Sequence, residues 1–302
     1  MSTLFAIVNL GTFVAREPDV EKDGNAKKKV ATLMKYSGIG FLVPVCYSIV
    51  ALPSVAEIDP AKAEAVWLFN DGAGGKIADS SGHKRDGILF GKGKWVKGKF
   101  GGGLELNGTQ KDNVIIEGYK GIGGQKPCTT VLWYWTEKPG RCRLVCWGAN
   151  DTAIKCHVRI HENDTFHVET QGGQLFANKP KLTDGQWYHL ACVFPPGGKT
   201  CHDHILYVDG VEIKDRSGND VGVDTDIKTN DVEIGWNKNI GHGDPAQGIF
   251  DEVAIFNAAL NQKDVNDIMT KGLTEALSVS PKERLTTTWG SLKSLQYPIV
   301  PR

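Results

Sequence analysis

From Ala65 to Phe256 the chain is a succession of short apolar or alternating runs, each broken by glycine, asparagine or aspartate, with no long amphipathic helix between them. Runs of this length and period bury one face of a strand, and the breakers supply the turns. The runs are Ala65 to Asn70, Gly87 to Phe90, Gly103 to Leu106, Asn113 to Glu117, Thr129 to Thr136, Arg143 to Trp147 and Ile154 to Ile160. They continue as Thr165 to Thr170, Gln174 to Ala177, Trp187 to Phe194, His204 to Val208, Val211 to Lys214, Asp231 to Gly235 and Gly248 to Phe256. A parallel α/β sheet needs helices between its strands and is excluded; the pattern predicts an all-β sandwich or barrel. The 36 glycines fit this reading, because tight turns need backbone conformations that glycine adopts without strain.

Three segments give local detail. In TTVLWYW, Val131, Trp133 and Trp135 point one way and Leu132 and Tyr134 the other; both faces are apolar, so this strand is central. In YVDGVEI, Asp209-Gly210 between β-branched runs predicts a two-residue type I′ hairpin. Leu260 to Lys271 reads as a short closing helix, capped by Asn261 and stopped by Gly272. Residues 273–302 form a tail in which Ser280 and Pro281 start a second helix, with Leu285, Trp289 and Leu292 on one face; it docks on the sandwich or awaits a partner.

At the other end, Lys35, an apolar run from Ile39 to Leu52 and Ser54-Val55-Ala56 have the layout of a secretory signal over 34–56, with cleavage after Ala56. The run falls short of the roughly 20 residues a spanning helix needs, and Pro44 interrupts it. Membrane contact is therefore expected only through this segment, if uncleaved. Residues 1–33 are an extension upstream of Met34 or a long n-region of the signal. The mature chain begins at residue 57 and is expected outside the cytoplasm: extracellular, periplasmic or at the cell surface.

Lysine plus arginine equals aspartate plus glutamate at 35 each, so no overall field draws the chain to nucleic acid or an acidic membrane. The Lys27, Lys28, Lys29 run reads as an export flank. Beyond the signal lie six cysteines: Cys128, Cys142, Cys146, Cys156, Cys192 and Cys201. A hairpin symmetric about Asp151 places Cys146 opposite Cys156, within disulfide reach. The alternative is buried free thiols, which pack as small apolar groups.

Four segments in order, AVWLFNDGAGGKIADSSGHKRDGILFG, DGQWYHLACVF, ILYVDGVEI and GIFDEVAIFNAALNQKDV, resemble laminin-G-like domains of the concanavalin A-like lectin and glucanase superfamily. The resemblance covers residues 64–272 and implies an antiparallel two-sheet jelly roll over 57–272, followed by the short helical tail. It implies that the strands around Trp67 and Phe250 close one sheet. It also implies a calcium ion near Asn70, Asp71 and Asp251, although Asn70 stands where the family has aspartate, which lowers the ligand charge.

Catalytic pairs are not evident. Laminarinase-type relatives use Glu-x-Asp-x-x-Glu, with carboxyls about 5 Å apart. Glu57-Ile58-Asp59 ends instead at Lys62, and Glu162-Asn163-Asp164 at His167. The adjacent Asp251 and Glu252 of one strand point to opposite faces. His202-Asp203-His204 reads as the start of a strand, and Ser81, His83 and Asp86 as turn residues. No catalytic residues are assigned. The reading is a secreted, non-catalytic recognition module for carbohydrate, with Trp236, Asn237, Asn239, His242 and Asp244 in one glycine-rich loop as the binding site, unless Trp236 fills the core beside Ile234. The competing reading is a structural or adhesive protein whose domain and tail hold other envelope, cell-surface or matrix proteins.

Overall fold

The computed structural model describes residues 58–237 and 243–278. The extension, the signal, Asn239, His242 and the tail helix expected from Ser280 lie outside the described residues. Within them run β1 (Ala63–Trp67), β2 (Lys76–Ile77), β3 (Gly87–Phe90), β4 (Lys94–Lys97), β5 (Gly102–Asn107), β6 (Asn113–Ile116), β7 (Cys128–Trp135), β8 (Cys142–Gly148) and β9 (Lys155–Ile160). They are followed by β10 (Phe166–Thr170), β11 (Gly173–Ala177), β12 (Trp187–Phe194), β13 (Ile205–Val208), β14 (Val211–Glu212), β15 (Arg216–Asn219), β16 (Val232–Ile234) and β17 (Gln247–Phe256). Every run named from the sequence is a strand. Strands β2, β4 and β15 are additional, being very short or lacking apolar alternation.

All pairings are antiparallel, and they build two sheets. One runs β14-β13-β12-β7-β17-β5-β4, with β1 also on β17; the other runs β15-β11-β10-β9-β8-β16-β6-β3-β2. Strand β17 takes β5 along Gln247 to Phe250 and β1 along Val253 to Phe256, with Trp67 opposite Val253, so the first and last strands close one sheet as expected. Trp67 is fully buried and its indole N–H donates to the Arg85 carbonyl at 2.8 Å. The following turn is held by Asp79, whose carboxylate accepts from the N–H groups of Val66, Ser81 and Arg85.

The side-chain period of two decides which layer each residue joins. Leu132 and Tyr134 of β7 and Leu190 and Cys192 of β12 face the other sheet, meeting Val145, Trp147, Cys156 and Val158. Val131, Ala191, Val193 and Phe256 face the opposite way and are covered by Val265 and Ile268 of helix α1 (Gln262–Lys271) and by Leu273 of α2 (Leu273–Ala276). This is why TTVLWYW is apolar on both faces. Asn261 caps α1 by accepting from the Asp264 N–H at 3.0 Å, and Gly272 ends it. At the β13–β14 hairpin, Asp209 and Gly210 take φ of 48° and 73°, the pair of left-handed conformations that a type I′ turn requires. No helix of the described residues is long and apolar enough to cross a membrane.

The expected Cys146–Cys156 pairing is corrected. Trp147 stands opposite Cys156, and Cys146 opposite His157. Gly148 pairs with Lys155, so the connection is one residue longer than a hairpin centred on Asp151, and a one-residue slip sends the two cysteines to opposite faces. Cys156 enters the core, while Cys146 joins the polar side of the sheet. All six cysteines of the described residues are free.

Candidate functional site

The nine-stranded sheet turns its second face away from the core, and here the alternation leaves ionisable side chains. In β9, Cys156, Val158 and Ile160 are core residues, whereas Lys155, His157 and Arg159 lie on the outer face. In β10, Phe166 and Val168 point inward and His167 and Glu169 outward. Cross-strand register assembles two rows. The first is Glu233, Cys146, His157, Glu169, Gln174 and Asn219; the second is Arg143, Arg159, His167, Phe176 and Ser217. At about 4.8 Å between strands, the first row is about 24 Å long.

Charge pairing pins these rows. Glu169 receives Lys155 Nζ at 2.6 Å and also pairs with the Arg159 guanidinium. Burial alone would raise the Glu169 carboxyl, but Arg159 and Lys155 bring it below its ordinary value. Arg159 reaches across to Asp244 Oδ2 at 2.7 Å, and Arg143 and Arg141 approach the same carboxylate at 3.8 and 3.6 Å. The main-chain N–H of Arg143 donates to the Asp244 carbonyl at 2.9 Å, docking the loop against β8.

The histidines among them are neutral. His157 and His167 are held well below the usual imidazole value, first by burial and then by the neighbouring cations. Neither ring nitrogen of either side chain has a hydrogen-bond partner among the described residues. Each neutral ring keeps one donor and one acceptor. His161 stacks on Phe176 with ring centres 3.9 Å apart, and His167 meets His161 edge-on at 5.0 Å. Beside them lies a cavity of about 290 Å³, bounded by Arg159, His161, His167, Glu169 and Gln174, with Arg141 and Glu162 at its mouth.

Of the binding residues named from the loop, Asp244 is in this network. Trp236 is half-buried with its indole N–H enclosed, and Asn237 is fully buried, so neither forms the exposed sugar platform expected of it. Lys155, His157, Arg159, His167 and Glu169 were not singled out. The signal for them is in KCHVRI and FHVET, where ionisable residues alternate with apolar ones as strictly as they would on a half-buried strand.

The expected metal ligands divide. Asp251 is fully buried; its Oδ2 accepts from the Phe100 N–H at 2.7 Å, and its Oδ1 has no partner among the described residues. Burial pushes this carboxyl up to about 7, against the pull of the Phe100 N–H. Asn70 Oδ1 accepts from the Gly102 N–H at 2.6 Å, so both side chains hold the loop between β4 and β5. Asp71 instead caps the Ala78 N–H at 3.1 Å. Among the described residues no three histidine, cysteine, aspartate or glutamate side chains are grouped to hold a metal ion. The unpartnered Asp251 oxygen suits a hard cation, but a calcium ion there would depend on Asn70 and further neutral oxygens for the rest of its ligands.

His204 is buried against Phe194 and bonds its own turn through Cys201, as a strand start rather than a metal site. Asp86 accepts from the Asp79 N–H at 2.9 Å, and Ser81 bonds Asp79 at 2.8 Å, so these are turn residues too.

A family profile described as the concanavalin A-like lectin/glucanases superfamily, of laminin-G type, matches residues 108–266. Among solved structures, domain 4 of AbnA, a GH43 extracellular arabinanase from Geobacillus stearothermophilus in complex with arabinotriose, superposes with a TM-score of 0.55 at 20% identity, covering 71% of this chain and 100% of that domain. A mutant of Trypanosoma rangeli sialidase displaying trans-sialidase activity gives 0.52 at 14%, covering 74% of this chain and 35% of that one. The binding domain of Botulinum Neurotoxin DC in complex with SialylT gives 0.51 at 11%, covering 70% and 51%. The chain thus spans all of the first relative, a third of the second and half of the third. At these identities the likeness is one of fold. No curated protein sequence matches.

Proposed function

As a member of the laminin-G-like family within the concanavalin A-like lectin/glucanases superfamily, matched over just over half its length, the chain carries a fold shared by lectins and glucanases, and we propose that it is a non-catalytic carbohydrate-binding module that recognises a neutral saccharide on the outer face of its nine-stranded sheet. The observation that carries this reading is the pair of fixed polar rows, which bring Arg159, Glu169 and the Gln174 amide to the wall of one cavity, where the His167 ring nitrogens are enclosed. A sugar hydroxyl both donates and accepts, as does a carboxamide. His161, stacked on Phe176, lines the same cavity and adds aromatic surface for the apolar side of a pyranose or furanose. The two cations and two carboxylates of the cavity balance, which favours an uncharged ligand. The relatives solved with arabinotriose and with SialylT support the glycan class.

At this cavity the non-catalytic part of the proposal rests on Glu169. A glycosidase needs one carboxyl kept protonated as acid, whereas ion pairing holds Glu169 ionised. The proposal also includes export through residues 34–56 and a calcium ion at Asn70 and Asp251. Calorimetric titration with neutral oligosaccharides, arabinotriose first, tests it. Saturable binding, weakened about tenfold in Gln174→Ala with the melting temperature of that variant unchanged, is the expected result. Release of reducing sugar overturns the non-catalytic reading, and failure to bind across a glycan array overturns the module.

A further inference from the structure

At the other end of β8 and β9 lies a cavity of about 630 Å³ between the start of β1, Arg85 and the loop from Gly118 to Pro127. The loop is built against the sandwich there: a Cβ on Gly121 would come within 2.5 Å of the Trp147 ring, so this wall sits directly on the core. Lys62, Arg85, Lys120 and Lys126 line the cavity, against the single carboxylate of Glu64. In a chain whose charges cancel overall, this is a concentrated positive site. It contrasts with the charge-balanced cavity beside His167.

Two of the cations are fixed. Arg85 pairs with the Glu64 carboxylate, donates to the Glu64 carbonyl at 2.6 Å, and lies 4.0 Å above the centre of the Tyr119 ring. Lys120 pairs with Asp231 at 2.8 Å. The side chains of Lys62 and Lys126 have no hydrogen bond or ion pair among the described residues, and both are exposed at the rim. Tyr119 is only 7% exposed: its ring lines the cavity beneath Arg85, while its hydroxyl is enclosed and has no hydrogen-bond partner among the described residues. Ile122, Pro127 and Ile227 add an apolar wall. Unused cations at the rim of a cavity with an apolar wall match a saccharide bearing an oxyanion.

We propose that this cavity is a second binding site, separate from the sheet face, for the carboxylate or sulfate group of an acidic saccharide, with Lys62 and Lys126 supplying the charge and Ile122, Pro127 and Ile227 an apolar wall. The full chain is titrated with three probes: an oligogalacturonate, a sulfated oligosaccharide and neutral arabinotriose. Binding of either acidic probe is expected, weakening as salt rises and at least about tenfold weaker in Lys62→Gln/Lys126→Gln. The more tightly held acidic probe identifies the oxyanion. Both lysines are exposed, so their variant retains the wild-type melting temperature. The same variant leaves arabinotriose binding unchanged, and Gln174→Ala leaves acidic binding unchanged, so loss of the sheet-face reading alone does not touch this one. Absence of acidic binding, or acidic binding indifferent to the two lysines, overturns the proposal.

Discussion

Arg159 and Asp244, 85 residues apart in sequence, meet at 2.7 Å on the outer face of the nine-stranded sheet, where Arg159 also holds Glu169. One guanidinium therefore ties the β9–β10 hairpin to the loop that precedes β17. Arg159→Met leaves two carboxylates without their main partner in a largely dehydrated setting and is expected to cost about 3 kcal/mol in urea unfolding. Asp244→Asn should cost less, because Arg159 keeps Glu169. A loss below about 1 kcal/mol for Arg159→Met would show that the network is solvated and not pinned.

The buried histidines make stability depend on pH. The folded-state values of His157 and His167 lie below 6.5, so as pH falls the unfolded chain takes up protons first. Their contribution is fully present above about 6.5 and is lost on acidification, by up to about 1.4 kcal/mol per pH unit for each ring. Arg143, Lys155 and Arg159 face these rings and reinforce the sign. Glu169, with its lowered value, adds a further loss only below the ordinary carboxylate range. Urea midpoints measured between about pH 7.5 and pH 5 should fall, and His167→Gln should shrink the slope by about one proton.

The proposed calcium ion would act through Asp251. Excess calcium is expected to raise the melting temperature by several degrees, since a ligand that binds only the folded state stabilises it by mass action. Chelator reverses the shift and Asp251→Asn abolishes it. Melting curves that coincide with and without chelator would remove the ion from the proposal.

Gly210 is constrained twice. Its φ of 73° disfavours any side chain, and a Cβ there would fall 1.7 Å from Asn266 Oδ1 on α1. Gly210→Ala should destabilise by about 1–3 kcal/mol. Adding Asn266→Ala removes the clash but not the backbone strain, so partial recovery is expected; full recovery would assign the whole cost to the contact.

Much of the fold was legible because it depends on local alternation. Trp187 to Phe194 was bounded correctly, the Asp209-Gly210 turn was named with its type, and Asn261 was identified as the cap of α1. Strand β4, KWVK, was missed because its character comes from pairing with β5 rather than from its own pattern. The binding loop was placed on Trp236 because an aromatic among glycines resembles a sugar platform. Of the residues named in that loop Asp244 reaches the charged network, and the neighbouring Gly243 carbonyl accepts from the Arg143 guanidinium at 2.6 Å.

Period and turn chemistry sufficed for an all-β sandwich, since those signals act over a few residues, while the family rested on the resemblance of four ordered segments. Tertiary structure decided the rest. A single extra residue between β8 and β9 turned Cys146 from a disulfide partner of Cys156 into a neighbour of His157. Which polar face escaped a covering helix was settled by α1 packing on the other sheet. Both outcomes arise from register and long-range packing, whose energies are set between segments far apart in the chain and leave no mark in either segment alone.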